Sequence, residues 1–436
     1  MTTGTILPEK PAHRVPYMRR ALRGNVLSLG IVSFLTDVSS EMIYPLLPVF
    51  FAGMMTATAA AAWVGVMDGI AETVSAFLKL YSGKLSDRTG RKKALTVIGY
   101  SISSFFRPLV AFALTPWHVV GLRFLDRVGK GIRTAPRDAL IGESVDSDVR
   151  GVAFGFHRLM DHTGAVLGPV IAGIVLFSLL GSATLWQVGA SEVTPLEMRA
   201  LRIVFFAAIV PGILAVTVLW LGVRESRSGK AYASETERIQ PLRTLKRLPR
   251  PLIRFIVAAA LFSLGNSTDL FLVLYVQTTF GLGLGHVVGL WISLHIAKIA
   301  LSIPGGRFSD RIGRFPAIFS GWAIYIVVYA SLPFTSSVVV AWLLIVVYGI
   351  YYGFTEGAER ALVADWAPVE DRGRAYGLYH GVIGFTVLPA NLIFGFLWTA
   401  FGAKWAFMFG AGLASAAALV LGTLAIHVRN RIPRGT

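Results

Sequence analysis

The chain contains no cysteine. That excludes disulfide staples and thiolate metal or redox sites. Charge is scarce as well. Only 15% of the 436 residues are Asp, Glu, Lys or Arg, against about 25% in soluble domains. No glycine-rich phosphate loop of the nucleotide-hydrolase type is present, so ATP is not the expected energy source. The "GLGLG" beginning at Gly281 follows no strand and opens no βα unit, so it is not a dinucleotide site. The eight histidines show no zinc-ligand spacing. No cofactor and no bound metal are expected, and no enzymatic chemistry.

Apolar length fills the space these absences leave. Hydrophobic residues make up 54% of the chain and the mean hydropathy is +0.64. About twelve apolar blocks follow one another, at 25–53, 61–82, 94–114, 117–141, 151–180, 201–223, 251–279, 286–304, 315–334, 338–364, 374–400 and 404–427. Blocks of about 20 residues cross a bilayer as helices. The start, "MTTGTILPEKPAHRVPYMRRALRG", is too polar for a cleaved signal, so the first block is expected to stay as a span. The expected fold is an all-α membrane protein of twelve transmembrane helices. The lipid bilayer is its partner.

The net charge of +17 could suggest nucleic acid, but its distribution argues against that. With the N-terminus inside, the even-numbered junctions carry "GKLSDRTGRKK", "DSDVRG", "RESRSGKAYASETERIQPLRTLKRLPR", "GRFSDRIGR" and "EDRGR". The odd-numbered junctions carry almost none; the longest, "GSATLWQVGASEVTPLEMRA", has only Arg199. This is the positive-inside bias of a polytopic protein. It places both termini in the cytoplasm and the protein in the plasma (inner) membrane.

The chain is written twice. "GKLSDRTGRKK" from Gly83 matches "GRFSDRIGRFP" from Gly306 at an offset of 223. "GIRTAPRDAL" from Gly131 matches "GFTEGAERAL" from Gly353, and "RGVAFG" from Arg150 matches "RGRAYG" from Arg372, both at 222. Three matches at spacings within one residue of each other indicate an internal duplication. The expected organisation is a tail at 1–24, a six-helix half at 25–223, a basic linker at 224–250, a second half at 251–427 and a tail at 428–436. Parallel halves around a central cavity fit this pattern.

Gly83, Asp87, Arg88, Gly90 and Arg91 resemble the loop signature of the major facilitator superfamily, G-x-x-x-D-R-x-G-R. Gly306, Asp310, Arg311, Gly313 and Arg314 repeat it between the second and third spans of the other half. Gly155, Gly164, Gly168, Pro169 and Gly173 in span 5 resemble the signature of the superfamily's antiporters, with Ala172 replacing one Gly. A Gly-Pro pair permits a helix bend and close packing. Pro45 and Pro48 in "IYPLLP" resemble a signature of the 12-helix drug:proton antiporters. Arg127, Gly131 and Ala135 resemble R-x-x-Q-G-x-G-A-A, but Lys130 stands where Gln is usual and Arg133 where Gly is usual. The resemblance implies alternating access by a secondary transporter that moves a small-molecule substrate with protons, as a monomer. Spans 1, 4, 7 and 10 would line its cavity.

Span 4 reads "RFLDRVGKGIRTAPRDAL" from Arg123 to Leu140, with four arginines, one lysine and two aspartates. A charge near the bilayer centre needs a partner or a wet cavity. Arg123, Arg127 and Lys130 share one helical face. They either attract an anionic group or form an ion-pair lattice between spans. Asp126, one turn from Lys130, can pair with it. Arg133, Arg137 and Asp138 are expected near the cytoplasmic end. In span 1, Asp37 and Glu41 are one turn apart with no basic neighbour in their span. Such a pair suits proton loading, or else salt bridges to span 4. Asp68 and Glu72 in span 2 repeat the spacing, and at the repeat offset Glu72 corresponds to His295, with Lys298 one turn on. In span 5, Arg158 can reach Asp161 and His162, beside His157. An ion-pair network at the interface between halves, with Glu359 and Arg360 paired to neighbours, is weighed against direct substrate contact. Asp269 and Glu356 are the cavity candidates of spans 7 and 10.

These residues point to proton-coupled efflux of a small charged or zwitterionic organic solute or drug. The rival is proton-coupled import of an organic anion or metal chelate. A non-transporting sensor or scaffold is the distant alternative.

Overall fold

The computed structural model describes residues 22, 24–146, 149–189, 192–225, 248–368 and 371–429, with Asp87, Gly151, Ile303, Arg372, Gly373, Val428 and Arg429 described by their backbone alone. Most of the 224–250 linker and of both tails lies outside the described residues. Twelve transmembrane segments follow in order. The first half holds α1 (Asn25–Ala52), α2 (Ala57–Thr89), α3 (Lys92–Phe106), α4 (Pro116–Glu143), α5 (Arg150–Leu185) and α6 (Pro195–Gly222). The second holds α7 (Arg250–Phe280), α8 (Leu284–Ile312), α9 (Arg314–Ser331), α10 (Val338–Trp366), α11 (Arg372–Phe401) and α12 (Ala403–Arg429).

Lipid offers no hydrogen bonds, so a spanning backbone must satisfy its own. Eleven of the segments are long and apolar enough to cross on composition alone. The exception is α4, whose charges lower its hydropathy. Within the bundle α4 packs against α2 and α3, which shields those charges from lipid. Several helices run past their apolar blocks. At about 1.5 Å per residue, the 33 residues of α2 are long enough to project into the headgroup zone. Thr194 begins α6 with a capping box to Glu197. Gly90 ends α2 at φ +64°, a backbone state that favours glycine.

Several helices are interrupted: α5 kinks at Gly181 (φ +70°) and α6 breaks at Ala208, and two further breaks, in α1 and α7, face each other. α1 leaves regular α geometry after Glu41 and passes through a 3₁₀ turn at Tyr44–Leu46. Pro45 and Pro48 remove two backbone donors there. α7 stops at Gly265 and resumes at Leu270. The two breaks meet at the centre, where Tyr44 Oη and Thr268 Oγ1 lie 3.2 Å apart.

The halves are joined by two long seams, α2 against α11 and α5 against α8. At the face away from the basic loops these seams are tied by backbone. Gly283 N–H donates to Gln187 O at 2.9 Å and Gly189 N–H to Phe280 O at 3.2 Å. At the basic face the only ion pair between halves among the described residues is Arg158–Glu356, at 3.8 Å. A cavity of about 690 Å³ separates the helices there. The basic end is thus the more loosely joined of the two, although a cavity of about 540 Å³ also lies beside the backbone bonds at the other end.

Candidate functional site: a charged interior on one side, a tyrosine wall on the other

The first half has an ionic core. Arg107, capping the C-terminal end of α3, places Nε and Nη2 on Asp126 Oδ1 at 3.2 and 2.8 Å, and its Nη1 donates to Thr36 O at 3.0 Å. Arg123 Nη1 donates to Asp126 Oδ2 at 3.0 Å. Asp126 is 1% exposed and Arg123 4%. Asp126 therefore pairs with Arg107 and Arg123, not with Lys130 as expected. A carboxylate this deep needs more than one donor, and Arg107 reaches it from the neighbouring helix. Nε and Nη2 of Arg123 have no acceptor. Its guanidinium carbon instead sits 4.5 Å from the centre of the Tyr44 ring, a cation–π contact.

Arg127 and Lys130 approach one oxygen of Glu72, at 3.1 and 3.9 Å. Two cations thus share one carboxylate. Asp68 is buried, and Tyr44 Oη donates to it at 3.0 Å. Arg133 turns away from the centre, donates to Ser103 at 2.6 Å and lies over the Tyr100 ring at 4.3 Å. Arg137 pairs with its neighbour Asp138 at 2.8 Å.

Asp37 and Glu41 are half-buried on α1, and neither has an ion-pair partner among the described residues. Glu41 Oε2 accepts from Trp291 Nε1 of α8 at 2.9 Å, a hydrogen bond between halves. Both carboxylates are seated by span-5 glycines. A Cβ on Gly164 would come to 3.0 Å of Asp37 Cβ, and one on Gly168 to 2.7 Å of Val38 O and 2.9 Å of Glu41 Cβ. The glycine spacing of α5 therefore serves close packing on α1 inside the first half. Pro169 continues the same helix.

In span 5, Asp161 is paired with His157 Nδ1 at 3.4 Å and accepts a hydrogen bond from Ser33 of α1. Arg158 does not reach Asp161 as expected. It points across to Glu356 of α10, which also pairs with Arg360 at 2.8 Å. Glu356 is exposed at the open end, so it belongs to this cross-half contact and not to the interior.

The second half is built differently. Asp269, at the break in α7, accepts from Lys298 at 2.6 Å, Tyr348 Oη at 2.7 Å and Tyr352 Oη at 2.9 Å. Lys298 Nζ lies 3.9 Å from the Tyr352 ring centre. Tyr325, Tyr329, Tyr348 and Tyr351 pack around it with centroids 4.1 to 6.0 Å apart. His295 bonds its own helix, at Trp291 O, and packs against that indole at a tilt, with centroids 4.9 Å apart. Glu359 has no ion pair among the described residues; Trp322 Nε1 at 3.1 Å and Tyr379 Oη at 2.6 Å hold it. The expected network is thus several separate clusters.

The two copies of the loop signature bracket matching clasps. Lys92 pairs with Glu143, and Arg314 with Asp365 at 3.2 Å, each joining the third and fourth helices of its half. Both residues are 222 positions apart between copies. Arg314 also pairs with Asp310 of its own loop at 2.5 Å. Gly313 takes φ +100°. A Cβ on Gly83 would make ordinary contact with Ala135, and Gly306 has open space. Arg88, Arg91 and Arg311 make no ion pair among the described residues. The side chain of Asp87 lies outside them.

Sequence reading missed Arg107, Tyr44, Trp291 and the tyrosines. A signal existed for two of these. Arg107 is the one charge within the 94–114 block, and Tyr348, Tyr351 and Tyr352 recur at the i, i+3, i+4 spacing of one helix face.

Two pseudo-symmetric six-helix halves, broken at the first helix of each, with titratable groups gathered between them, define a secondary active transporter. The sequence profile of the Major Facilitator Superfamily matches residues 29–362 and 296–435, and the chain belongs to that family. It is a multi-pass membrane transporter, and not an enzyme. It is 33% identical over 407 residues to an uncharacterized MFS-type transporter of Methanocaldococcus jannaschii, covering 92% of this chain and 95% of that one. It is 28% identical over 289 residues to the multidrug resistance protein MdtG of Proteus mirabilis, covering 64% and 65%. Among solved structures, a bacterial homolog to the human lysosomal transporter Spinster, inward-facing and unoccupied, superimposes with a TM-score of 0.75 at 16% identity over 96% of this chain and 99% of that one. That last likeness is one of fold.

Proposed function

We propose that the protein exports a small charged or zwitterionic organic solute from the cytoplasm in exchange for protons. It works as a monomer in the plasma (inner) membrane, with the basic face and both termini cytoplasmic. The present conformation is then inward-facing. One observation carries the proton part: Asp37 and Glu41 stand one turn apart, half-buried, with no cation in ion-pair range among the described residues. Charge there is held by a neutral donor, Trp291, across the halves. A carboxylate accepts more strongly than a carboxylic acid. Glu41 thus changes charge at a contact that joins the halves, so its protonation is linked to the closure of the outer end. One proton driven by 100 mV supplies about 2.3 kcal/mol, enough for modest concentrative export.

For the solute, Arg127 and Lys130 share Glu72 and leave positive charge for an anionic group. Arg123 supports them through Asp126 and Tyr44. Lys298 and Asp269 on the opposite wall offer a pair that a zwitterion could exchange with. Likeness to a multidrug resistance protein supports export. The excess cation on α4 supports a second reading, import of an organic anion with protons.

The test is transport by proteoliposomes under imposed pH gradients of either sign. Glu41→Gln should lose gradient-driven transport and keep solute-for-solute exchange. Asp37→Asn should shift the pH optimum. Full gradient-driven transport in Glu41→Gln would move the proton site to Asp37, Asp68 or Glu72. Accumulation towards the alkaline compartment, by wild-type protein, would select import.

A further inference from the structure

The 690 Å³ cavity that parts the halves at the basic face carries side chains to which the transport reading assigns no role. It lies in the seam of α2 and α11, with Arg158 of α5 and Arg360 of α10 on its inner side. Its charge is unbalanced. The Lys79 ammonium has no acceptor among the described residues. Arg158 and Arg360 share the single carboxylate of Glu356, and Asp138 is taken by Arg137. Three cations, Lys79, Arg158 and Arg360, thus line the cavity with one carboxylate, Asp138.

Its outer rim is apolar and unpartnered. Phe77 and Leu80 of α2 are each 48% exposed and Phe385 of α11 63%, with the two phenyl rings edge to face at 5.0 Å. Both helices span the membrane, so these side chains meet acyl chains and not water. The depth is set as well. Lys79 stands one helical turn before Gly83, where the polar loop signature begins, which is the headgroup level of the basic-side leaflet.

A cationic recess at headgroup depth behind an aromatic, lipid-facing rim matches one ligand chemistry, an anion joined to hydrocarbon. We propose that this cavity binds the headgroup of an anionic phospholipid from the basic-side leaflet, with its acyl chains over Phe77, Leu80 and Phe385. A soluble anion would have no use for the rim. The lipid would act as a wedge. The α2–α11 seam must narrow when the basic face closes, so an occupied cavity favours the conformation seen here.

The full-length protein, purified with an equimolar mixture of phosphatidylglycerol and phosphatidylcholine, can be examined by native mass spectrometry. Phosphatidylglycerol should be retained in preference. A basic group near a charged membrane surface is worth about 1 kcal/mol, so Lys79→Ala should lower that preference roughly fivefold while Lys79→Arg keeps it. Benzophenone photo-crosslinking from position 385 gives an independent readout, since it should recover phosphatidylglycerol adducts from membranes. Equal retention of the two lipids by the wild type would overturn the proposal, as would an undiminished preference in Lys79→Ala or displacement of the lipid by millimolar inorganic phosphate. None of these outcomes depends on which solute is carried or on the Glu41 result.

Discussion

The two halves share one backbone plan and fill it with opposite chemistry. Asp126, the buried hub of the first half, corresponds at the repeat offset to Tyr348, and Lys130 corresponds to Tyr352. Asp126 gathers Arg107 and Arg123. Its counterpart tyrosine and Tyr352 instead both donate to Asp269. On α2 and α8, Asp68 corresponds to Trp291 and Glu72 to His295. Charge on one wall has thus become aromatic hydrogen bonding on the other. The duplication preserved helix packing, which needs only small residues and apolar faces, while the interior diverged into an ionic wall and a tyrosine wall. Such asymmetry suits a transporter that must bind polar cargo and also rock one half against the other.

The largest expected effect tests the ionic wall. Arg107→Ala leaves a buried carboxylate short of a partner, which typically costs about 3–5 kcal/mol. Thermal unfolding in detergent should show it, and the double change Arg107→Met with Asp126→Leu should recover much of the loss. If Arg107→Ala unfolds like the wild type, the ionic wall is not structural.

Next comes Gly168→Leu, which drives a side chain into the α1 backbone at Val38 and Glu41. Overpacking of this kind costs about 1–3 kcal/mol, and displaced Glu41 should also uncouple transport from the pH gradient. Gly155→Ala on the same helix, where a Cβ meets open space, should leave both stability and coupling unchanged.

On the tyrosine wall, Tyr348→Phe removes one of three donors to Asp269, a loss of roughly 1.5–3 kcal/mol for a bond to a charged group. Tm shifts of the same size for Arg107→Ala and Tyr348→Phe would erase the contrast between the walls.

The smallest effect should come from the paired clasps. Lys92→Gln and Arg314→Gln each break a partly exposed pair worth about 0.2–1 kcal/mol. Arg314→Gln should lose slightly more, since Asp310 also pairs with it. Both differences should shrink in high salt; a shift that persists there would point to a packing role.

The span count, the sidedness of charge, the duplication and the family signatures were all legible in the sequence. Each is one-dimensional: apolar block length is set by bilayer thickness, loop charge by insertion, and a repeat by its offset. The helical face shared by Arg123, Arg127 and Lys130 was legible for the same reason, since 3.6 residues per turn fix which side chains lie together. The tertiary structure alone decided what that face meets. Helix periodicity sets neither the rotation of α4 about its axis nor its neighbours, so Asp126 could be matched in sequence only within its own helix, where it pairs with Arg123 and not with Lys130. The bundle delivered Arg107 from α3 and Tyr44 from the break in α1. In the same way Arg158 found Glu356 across the halves, and Glu41 found Trp291, a partner 250 residues away. A buried charge pairs with whatever donor the packing brings within about 3 Å, and that proximity is a property of the assembled bundle.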